Sequence, residues 1–344
     1  MSSFGGIDLG GTKIQAAVVG DGHRVLGQAR CPTPTIGGPQ DVAEEMERAM
    51  REAAADAGVE VGSLAGIGVG SPGTVEGDQV TGARNLPGWE GSFPLAKQLS
   101  DALGVPVRLG NDVALASRAE AELGAGRPFR SMLGVFWGTG VGGGVILDGK
   151  LWKGRGAAGE FGHMVVELDG ARCTCGRRGC VEAYAGRAAM EIHVRKRVDK
   201  GETTDLFKLA KQHGRPRLTS GIWARALEQG DELAEHMVER ALRALGAGVA
   251  SAINLLDVEA VIIGGGLGVR LGEPYAQRIA EQMQPHLFHD SNPPRVLVAA
   301  LGDLGGAIGA SLLVAEDGAP ASGARARPAS QPPAPRRAAK APPR

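Results

Sequence analysis

Two rhythms of apolar residues run along the chain. Short apolar runs end in glycines, and between them lie longer segments whose apolar positions recur every three or four residues. Gly6–Val19 reads as a hairpin: apolar residues, a Gly10-Gly11 break, then Ile14 to Val19. Val42, Met46, Ala49 and Ala53 fall on one face, predicting a helix over Asp41–Ala57. Gly66–Gly70 predicts a short buried strand, Leu95–Leu103 a helix and Val105–Leu109 a strand. Asn111 or Asp112, favoured N-cap types, opens the next helix, which runs to about Leu123. Further on, the pattern predicts a long helix over Leu233–Leu256 and strands at Val258–Ile263 and Val296–Ala300. A last helix starts at Leu304, and about Lys150–Arg217 reads as an irregular insertion.

The opening theme repeats. Gly6-Ile7-Asp8-Leu9-Gly10-Gly11-Thr12 leads into a second strand that ends in Val18-Val19-Gly20-Asp21-Gly22. Gly134-Val135-Phe136-Trp137-Gly138-Thr139-Gly140 restarts it, and Val145-Ile146-Leu147-Asp148-Gly149 closes it. Two similar α/β halves, each opening with a hairpin, are the simplest account.

Composition narrows the function. The 344 residues carry equal numbers of acids and bases, so no general attraction to nucleic acid or anionic membrane is expected. Apolar stretches fall well short of the ~18 residues of a membrane span. The N-terminus lacks a basic segment followed by an apolar core, so the expected address is cytoplasmic. Three of the four cysteines crowd into Cys173–Cys180, which does not suit a disulfide-built module. From Ala319 onward the chain is Ala, Pro, Arg and Ser with six cations and no acid; it reads as a disordered, solvated tail.

Glycine is abundant, at 55 residues, and three glycine turns follow apolar strands: Asp8–Lys13, Gly138–Gly144 and Gly264–Gly268. Phosphate needs backbone N–H donors with no Cβ in the way, and Thr and Lys add donors. None of the turns matches the P-loop, and in Gly140-Val141-Gly142 a strand follows rather than the helix of a dinucleotide fingerprint. Three such turns in two repeated halves point to a nucleotide in a cleft between domains, against the plainer reading of structural hairpins. Asp8 beside phosphates calls for an intervening cation, which argues for Mg²⁺; the plainer reading is a turn-forming Asp.

Cys173-x-Cys175-x₄-Cys180 follows His163 by ten residues. Three thiolates and an imidazole complete a tetrahedral Zn²⁺ set with no open position, so a structural zinc is expected.

Several segments together resemble the ROK family of sugar kinases and repressors: Asp8–Lys13, Asn111-Asp112, Gly159-Glu160-Phe161-Gly162-His163 and Cys173-x-Cys175-Gly176-x-x-Gly179-Cys180-x-Glu182. Asn85-Leu86-Pro87-Gly88-Trp89 is similar to the family's sugar-side loop, and the resemblance spans about residues 5 to 315. It implies an α/β, two-domain actin-like/hexokinase (ribonuclease H-like) fold with a zinc-containing loop insertion. The expected division is 1–123 for the first domain, completed by the last helix at 302–316, then 124–301, then the tail 317–344. The resemblance is greatest to the family's bacterial glucokinases and implies phosphorylation of a hexose by ATP and Mg²⁺. Asp112 falls on the catalytic base; Asn85, Asn111, Glu160, His163 and Glu182 fall on sugar positions, with Ser71-Pro72-Gly73 facing the sugar. Asp8, Gly10, Gly11, Thr12, Lys13, Thr139, Gly140 and Gly265 fall near the nucleotide, and His163, Cys173, Cys175 and Cys180 on the zinc. Homo-oligomers, dimeric or tetrameric, are usual in the family.

Departures from the usual runs are Val113-Ala114 after Asp112 and Ala183–Arg187 after Glu182. They leave N-acetylglucosamine, N-acetylmannosamine, fructose or allose as alternatives to glucose; polyphosphate is an alternative to ATP, though the sequence supplies no extended basic groove for it. A primary hydroxyl is a poor nucleophile, and Asp112 at a helix N-terminus is suited to take its proton, the helix dipole favouring the ionised form. Zinc would pin the loop carrying His163 and Glu182. A sugar-sensing repressor is the rival reading, but its N-terminal helix-turn-helix has no room before a first strand near Gly5.

Overall fold

In the computed structural model, residues 2–83 and 85–318 are described. The expected tail from Ala319 lies outside them. The first half opens with β1 (Phe4–Leu9), β2 (Lys13–Val19) and β3 (Val25–Pro32), followed by α1 (Pro39–Asp56) and β4 (Ile67–Ser71). A small sheet follows, made of β5 (Thr74–Glu76), β6 (Gln79–Thr81) and β7 (Ser92–Phe93). Then come α2 (Leu95–Leu103), β8 (Val107–Asn111) and α3 (Asp112–Glu122). The second half begins with β9 (Met132–Trp137), β10 (Val141–Leu147) and β11 (Lys150–Leu151). Its helices α4 (Val181–Ala185), α5 (Arg187–Val198), α6 (Leu206–Gln212), α7 (Ser220–Glu228) and α8 (Glu232–Leu256) precede β12 (Ala260–Gly264). The chain then forms α9 (Gly265–Leu271), α10 (Glu273–Met283), β13 (Arg295–Val298) and α11 (Gly305–Gly318).

The two large sheets share one topology. Their strand orders are β3-β2-β1-β4-β8 and β11-β10-β9-β12-β13. In each, the opening hairpin is antiparallel and the next two strands are parallel to its first strand. The repeat read from the sequence is therefore a repeat in space, and the fold is a two-sheet α/β architecture, as expected.

The connecting helices exchange sheets. α11 follows β13 yet lies across β1 and β4 of the first sheet; α3 follows β8 yet packs on β10 and β9 of the second. The two helices also touch each other. Glycines permit the close approach: a Cβ on Gly6 would sit 1.9 Å from the Ala307 carbonyl oxygen, and one on Gly68 1.8 Å from that of Ala310.

Most predicted elements occur within two residues of their expected ends. β8 runs two residues later than expected, so Asn111 closes the strand and Asp112 opens the helix. The insertion Lys150–Arg217, expected to be irregular, instead holds α4, α5 and α6. The buried face of α5 is Met190, Glu191 and Val194, so a buried acid blurs the apolar stripe. β3 escaped the sequence reading because its buried inward positions are Gly27 and Cys31 rather than large apolar residues.

Candidate active site

The site grows from strand ends that lie side by side. Asp8 on β1 pairs in register with Gly70 on β4, Gly70 with Gly110 on β8, and Ser71 with Asn111. Neighbouring strands sit about 4.8 Å apart, so Asp8, Ser71 and Asn111 line the carboxyl end of the sheet, where ligands of open α/β sheets bind. Asn111 caps α3, its Oδ1 accepting from the Ala114 amide at 3.0 Å. The plain capping role of that residue is thus real and places Asp112 in the first helical turn.

Asp112 is half-buried, and its Oδ1 accepts from the Val113 amide at 2.9 Å. Desolvation, then the charge of Asp8, pushes its carboxyl up to about 7; Glu160 adds to the rise, and the amide bond opposes it. Desolvation likewise lifts Asp8 to about 6, with Lys13 lowering and Asp303 raising it. Burial and a second carboxylate thus work against the helix end that favours the ionised form. Asp112 is thereby raised toward neutrality, the range a general base needs.

Glu160, His163 and Glu182 meet around one loop. His163 Nε2 lies 3.9 Å from Glu160 Oε2. Glu182 is held at both oxygens: Oε1 accepts from Thr174 Oγ1 at 3.0 Å and Oε2 from the Val141 amide at 3.0 Å. It thereby links the cysteine loop to the base of β10. Asn85 sits on the other side, its Nδ2 2.8 Å from where a Cβ on Gly11 would be, beside the first glycine turn.

The metal-ligand set closes. The donor atoms of His163, Cys173, Cys175 and Cys180 lie within 4.8 Å of one another. Cys175 and Cys180 sulfurs are 3.8 Å apart, and Cys173 Sγ is 3.8 Å from His163 Nδ1. A tetrahedron of ~2.3 Å Zn–S bonds has edges of about 3.8 Å, so the donors fit Zn²⁺. Tyr184 braces the loop, donating to Glu167 and accepting from the Ala171 amide at 2.7 Å.

Each glycine turn is held from behind. In the first, the Gly10 amide donates to the Lys13 carbonyl at 3.0 Å and Thr33 Oγ1 donates to the Gly10 carbonyl at 2.6 Å. Thr12 accepts from the Thr33 amide at 3.3 Å, and Lys13 Nζ pairs with Asp303 at 3.1 Å. In the second, Gly138 and Thr139 carbonyls accept from the first amides of α5 at 3.1 and 3.0 Å. Gly140 lies against Glu182, whose Oε2 is 2.3 Å from the place a Cβ would take. In the third, Gly265 adopts φ +77°, and a Cβ there would meet the Trp137 carbonyl at 2.6 Å, which brings turns two and three together. Thr33, Arg187 and Asp303 were not singled out from the sequence. Their partners lie 23, 48 and 290 residues away, and no local pattern marks such pairs.

The chain is similar to known proteins over most of its length. The glucokinase of Thermotoga maritima is 32% identical over 320 residues, covering 90% of this chain and 96% of that protein. The N-acetyl-D-glucosamine kinase of Escherichia coli is 32% identical over 321 residues, covering 90% and 98%. The crystal structure of a ROK family glucokinase from Streptomyces griseus in complex with glucose and AMPPNP superposes with a TM-score of 0.79 at 31% identity, covering 92% of this chain and all of that one. A family model described as ROK matches residues 4–317, which takes in both sheets, the Cys/His loop and all three glycine turns, and the chain accordingly belongs to the ROK family.

Proposed function

We propose that this chain is a sugar kinase that transfers the terminal phosphoryl group of ATP to the 6-hydroxyl of a hexose, with glucose as the first candidate. The observation that carries the reading is Asp112: a carboxyl at the head of α3, held by one oxygen to the Val113 amide and raised to about 7 beside Asp8. Its Oδ2 is left to take the hydroxyl proton. As that proton moves to Oδ2, the sugar O6 bonds to the γ-phosphorus and the bond to the β–γ bridging oxygen breaks, releasing ADP. Asn85, Asn111, Glu160, His163 and Glu182 orient the sugar hydroxyls in this reading. The turns around Gly10, Gly11, Thr12, Lys13, Thr139, Gly140 and Gly265 receive the donor.

Two metal ions belong to the reading. Asp8, at the end of β1, is the residue suited to the Mg²⁺ that accompanies ATP, and that ion supplies charge neutralisation at the phosphates. His163, Cys173, Cys175 and Cys180 would hold a structural Zn²⁺ that fixes the fold of their loop. The rest is positioning by the chain, which is where most phosphoryl-transfer acceleration originates.

N-acetylglucosamine is the second substrate reading, favoured by the N-acetyl-D-glucosamine kinase at the same 32% identity. Rates of ADP release with glucose, N-acetylglucosamine, N-acetylmannosamine, fructose and allose, each with Mg-ATP and with polyphosphate, test donor and acceptor together. Turnover with none of them would sink the kinase reading in favour of a sugar-sensing regulator. A cytoplasmic, homo-oligomeric protein is part of the proposal, and light scattering tests the assembly. Among the described residues no helix is long and apolar enough to cross a membrane.

A further inference from the structure

We propose that Arg187 is a positioning residue for the phosphate donor, acting through the hydroxyl of Thr139. The inference rests on the kinase reading above and deepens its nucleotide side.

Arg187 opens α5, and its guanidinium joins two segments. Nη2 donates to Thr139 Oγ1 at 2.6 Å and Nη1 to the Leu218 carbonyl at 3.0 Å. The backbone repeats the grip: the Arg187 amide donates to the Gly138 carbonyl and the Ala188 amide to the Thr139 carbonyl. Thr139 is therefore held at its carbonyl and at its side-chain oxygen by the same helix end.

The chemistry of a hydroxyl makes this specific. Thr Oγ carries one proton and two lone pairs. When a guanidinium that can only donate occupies a lone pair, the hydroxyl proton is kept for another acceptor. In the second glycine turn that acceptor is a phosphate oxygen of the donor.

The surroundings argue against a purely structural arginine. Its Nε is buried with no hydrogen-bond partner, and desolvation lowers its pKa. The nearest acid of α5, Glu191, is already engaged: Oε1 by Arg195 at 2.8 Å, and Oε2 by Arg217 at 3.2 Å and the Leu218 amide at 3.1 Å. Among the described residues no carboxylate is in ion-pair contact with Arg187. The guanidinium is thus a half-buried cation on which Glu191 acts only from a distance, with no direct ion-pair contact among the described residues, next to a turn suited to an anion. Arg187 also bridges Thr139 to Leu218, so the second turn, α5 and the segment before α7 move together.

The test is a double-mutant cycle of Arg187→Met and Thr139→Val in the full chain, read as KM for ATP, KM for the hexose and melting temperature. Arg187→Met is expected to raise KM for ATP about tenfold, with KM for the hexose within about twofold. Thr139→Val is expected to match it, Thr139→Ser to restore the wild-type value, and the double variant to be no worse than either single one. An unchanged KM for ATP in Arg187→Met overturns the proposal, as do losses that multiply in the double variant. Should Arg187→Met not fold, Arg187→Lys takes its place in the cycle, since one ammonium cannot bridge Thr139 and Leu218 together. Wild-type protein that turns over no hexose defeats the kinase reading itself; the cycle is then read by calorimetric titration of Mg-ATP, with the same expected pattern.

Discussion

The two sheets have the same strand order and the same opening hairpin, yet chemistry sits unequally on them. The fifth residue of β1 is Asp8; the fifth residue of β9 is Phe136. Asp8 is a raised carboxyl against the first turn of α11, where a Cβ on Gly306 would come within 2.5 Å of it. Phe136 fills the same place with an aromatic ring, lying 2.6 Å from where a Cβ on Gly264 would be. The insertions differ too. The first half adds a small sheet capped by Trp89, whose Nε1 donates to the Val80 carbonyl at 3.2 Å. The second adds the Cys/His loop and four helices before α8. A duplicated scaffold thus supplies two equivalent sheets, and single positions decide which of them carries the acid.

The largest expected break in this comparison comes from the acids. Asp112→Asn should keep hexose binding and lose about 10²–10⁴ in kcat, read by steady-state kinetics; near-normal turnover would remove Asp112 from the base role. In the wild type, kcat/KM should fall about tenfold per unit as pH drops below about 7, because the base is then protonated. Asp8→Asn should move that acid limb to lower pH, since the Asp8 charge is the second cause of the rise. The stability sign is the reverse. A carboxyl raised in the folded state binds its proton more tightly there than when unfolded. Stability is then fullest below the unfolded value near 4 and declines as pH rises toward 6 and 7 for Asp8 and Asp112.

Next comes the loop found in one half only. Cys175→Ser should lose bound zinc, measured by metal analysis, and weaken calorimetric hexose affinity by at least about tenfold, since Glu182 is anchored to Thr174 within that loop. Full hexose affinity in the metal-free variant would separate the loop from the sugar site.

A smaller and sharper contrast lies in two equivalent glycines. Gly6 and Gly134 are each the third residue of their strand. A Cβ on Gly6 meets the backbone oxygen of Ala307 at 1.9 Å, which a rotamer cannot relieve. On Gly134 it meets the Ser117 hydroxyl at 2.3 Å, a side-chain end that can turn away. Gly6→Ala should therefore cost about 3 kcal/mol and Gly134→Ala about 1 kcal/mol, in denaturant titrations. Ser117→Ala should recover part of the second loss only. Equal costs would mean that the helices pack on the two sheets alike.

The smallest effect is expected at Asp303, which is exposed and pairs Lys13 at 3.1 Å and Arg30 at 3.4 Å. Asp303→Asn should change stability by less than about 1 kcal/mol, while a freed Lys13 lowers KM for ATP a few-fold. A raised KM would show that Asp303 orders Lys13 for the phosphates rather than competing with them.

Much of the site was legible because it is written locally. The glycine turns, Asp8 and Asn111-Asp112 stand at strand ends that apolar runs announce, and the Cys/His ligands carry their spacing in the chain. The length of α8 followed from its regular apolar face. What stayed hidden had small or polar residues where large apolar ones were expected. β3 turns Gly27 and Cys31 inward, and α5 buries Glu191. Glu120 is a further case: buried in α3, it accepts from the amides of Ala125, Ala300 and Leu301 at 2.9, 3.0 and 2.9 Å. It ties together both connections between the sheets, and nothing around it in the chain announces that.

The amino-acid order alone determined the duplicated hairpins and the metal-ligand spacing, because periodicity and spacing act over a few residues, while the family resemblance singled out Asp112 as the candidate base. Tertiary structure alone decided that α3 and α11 trade sheets, that burial raises Asp8 and, together with the Asp8 charge, Asp112, and that Thr33 and Arg187 brace the glycine turns. Those outcomes depend on desolvation and on contacts between distant segments, and neither exists until the two halves have closed on each other.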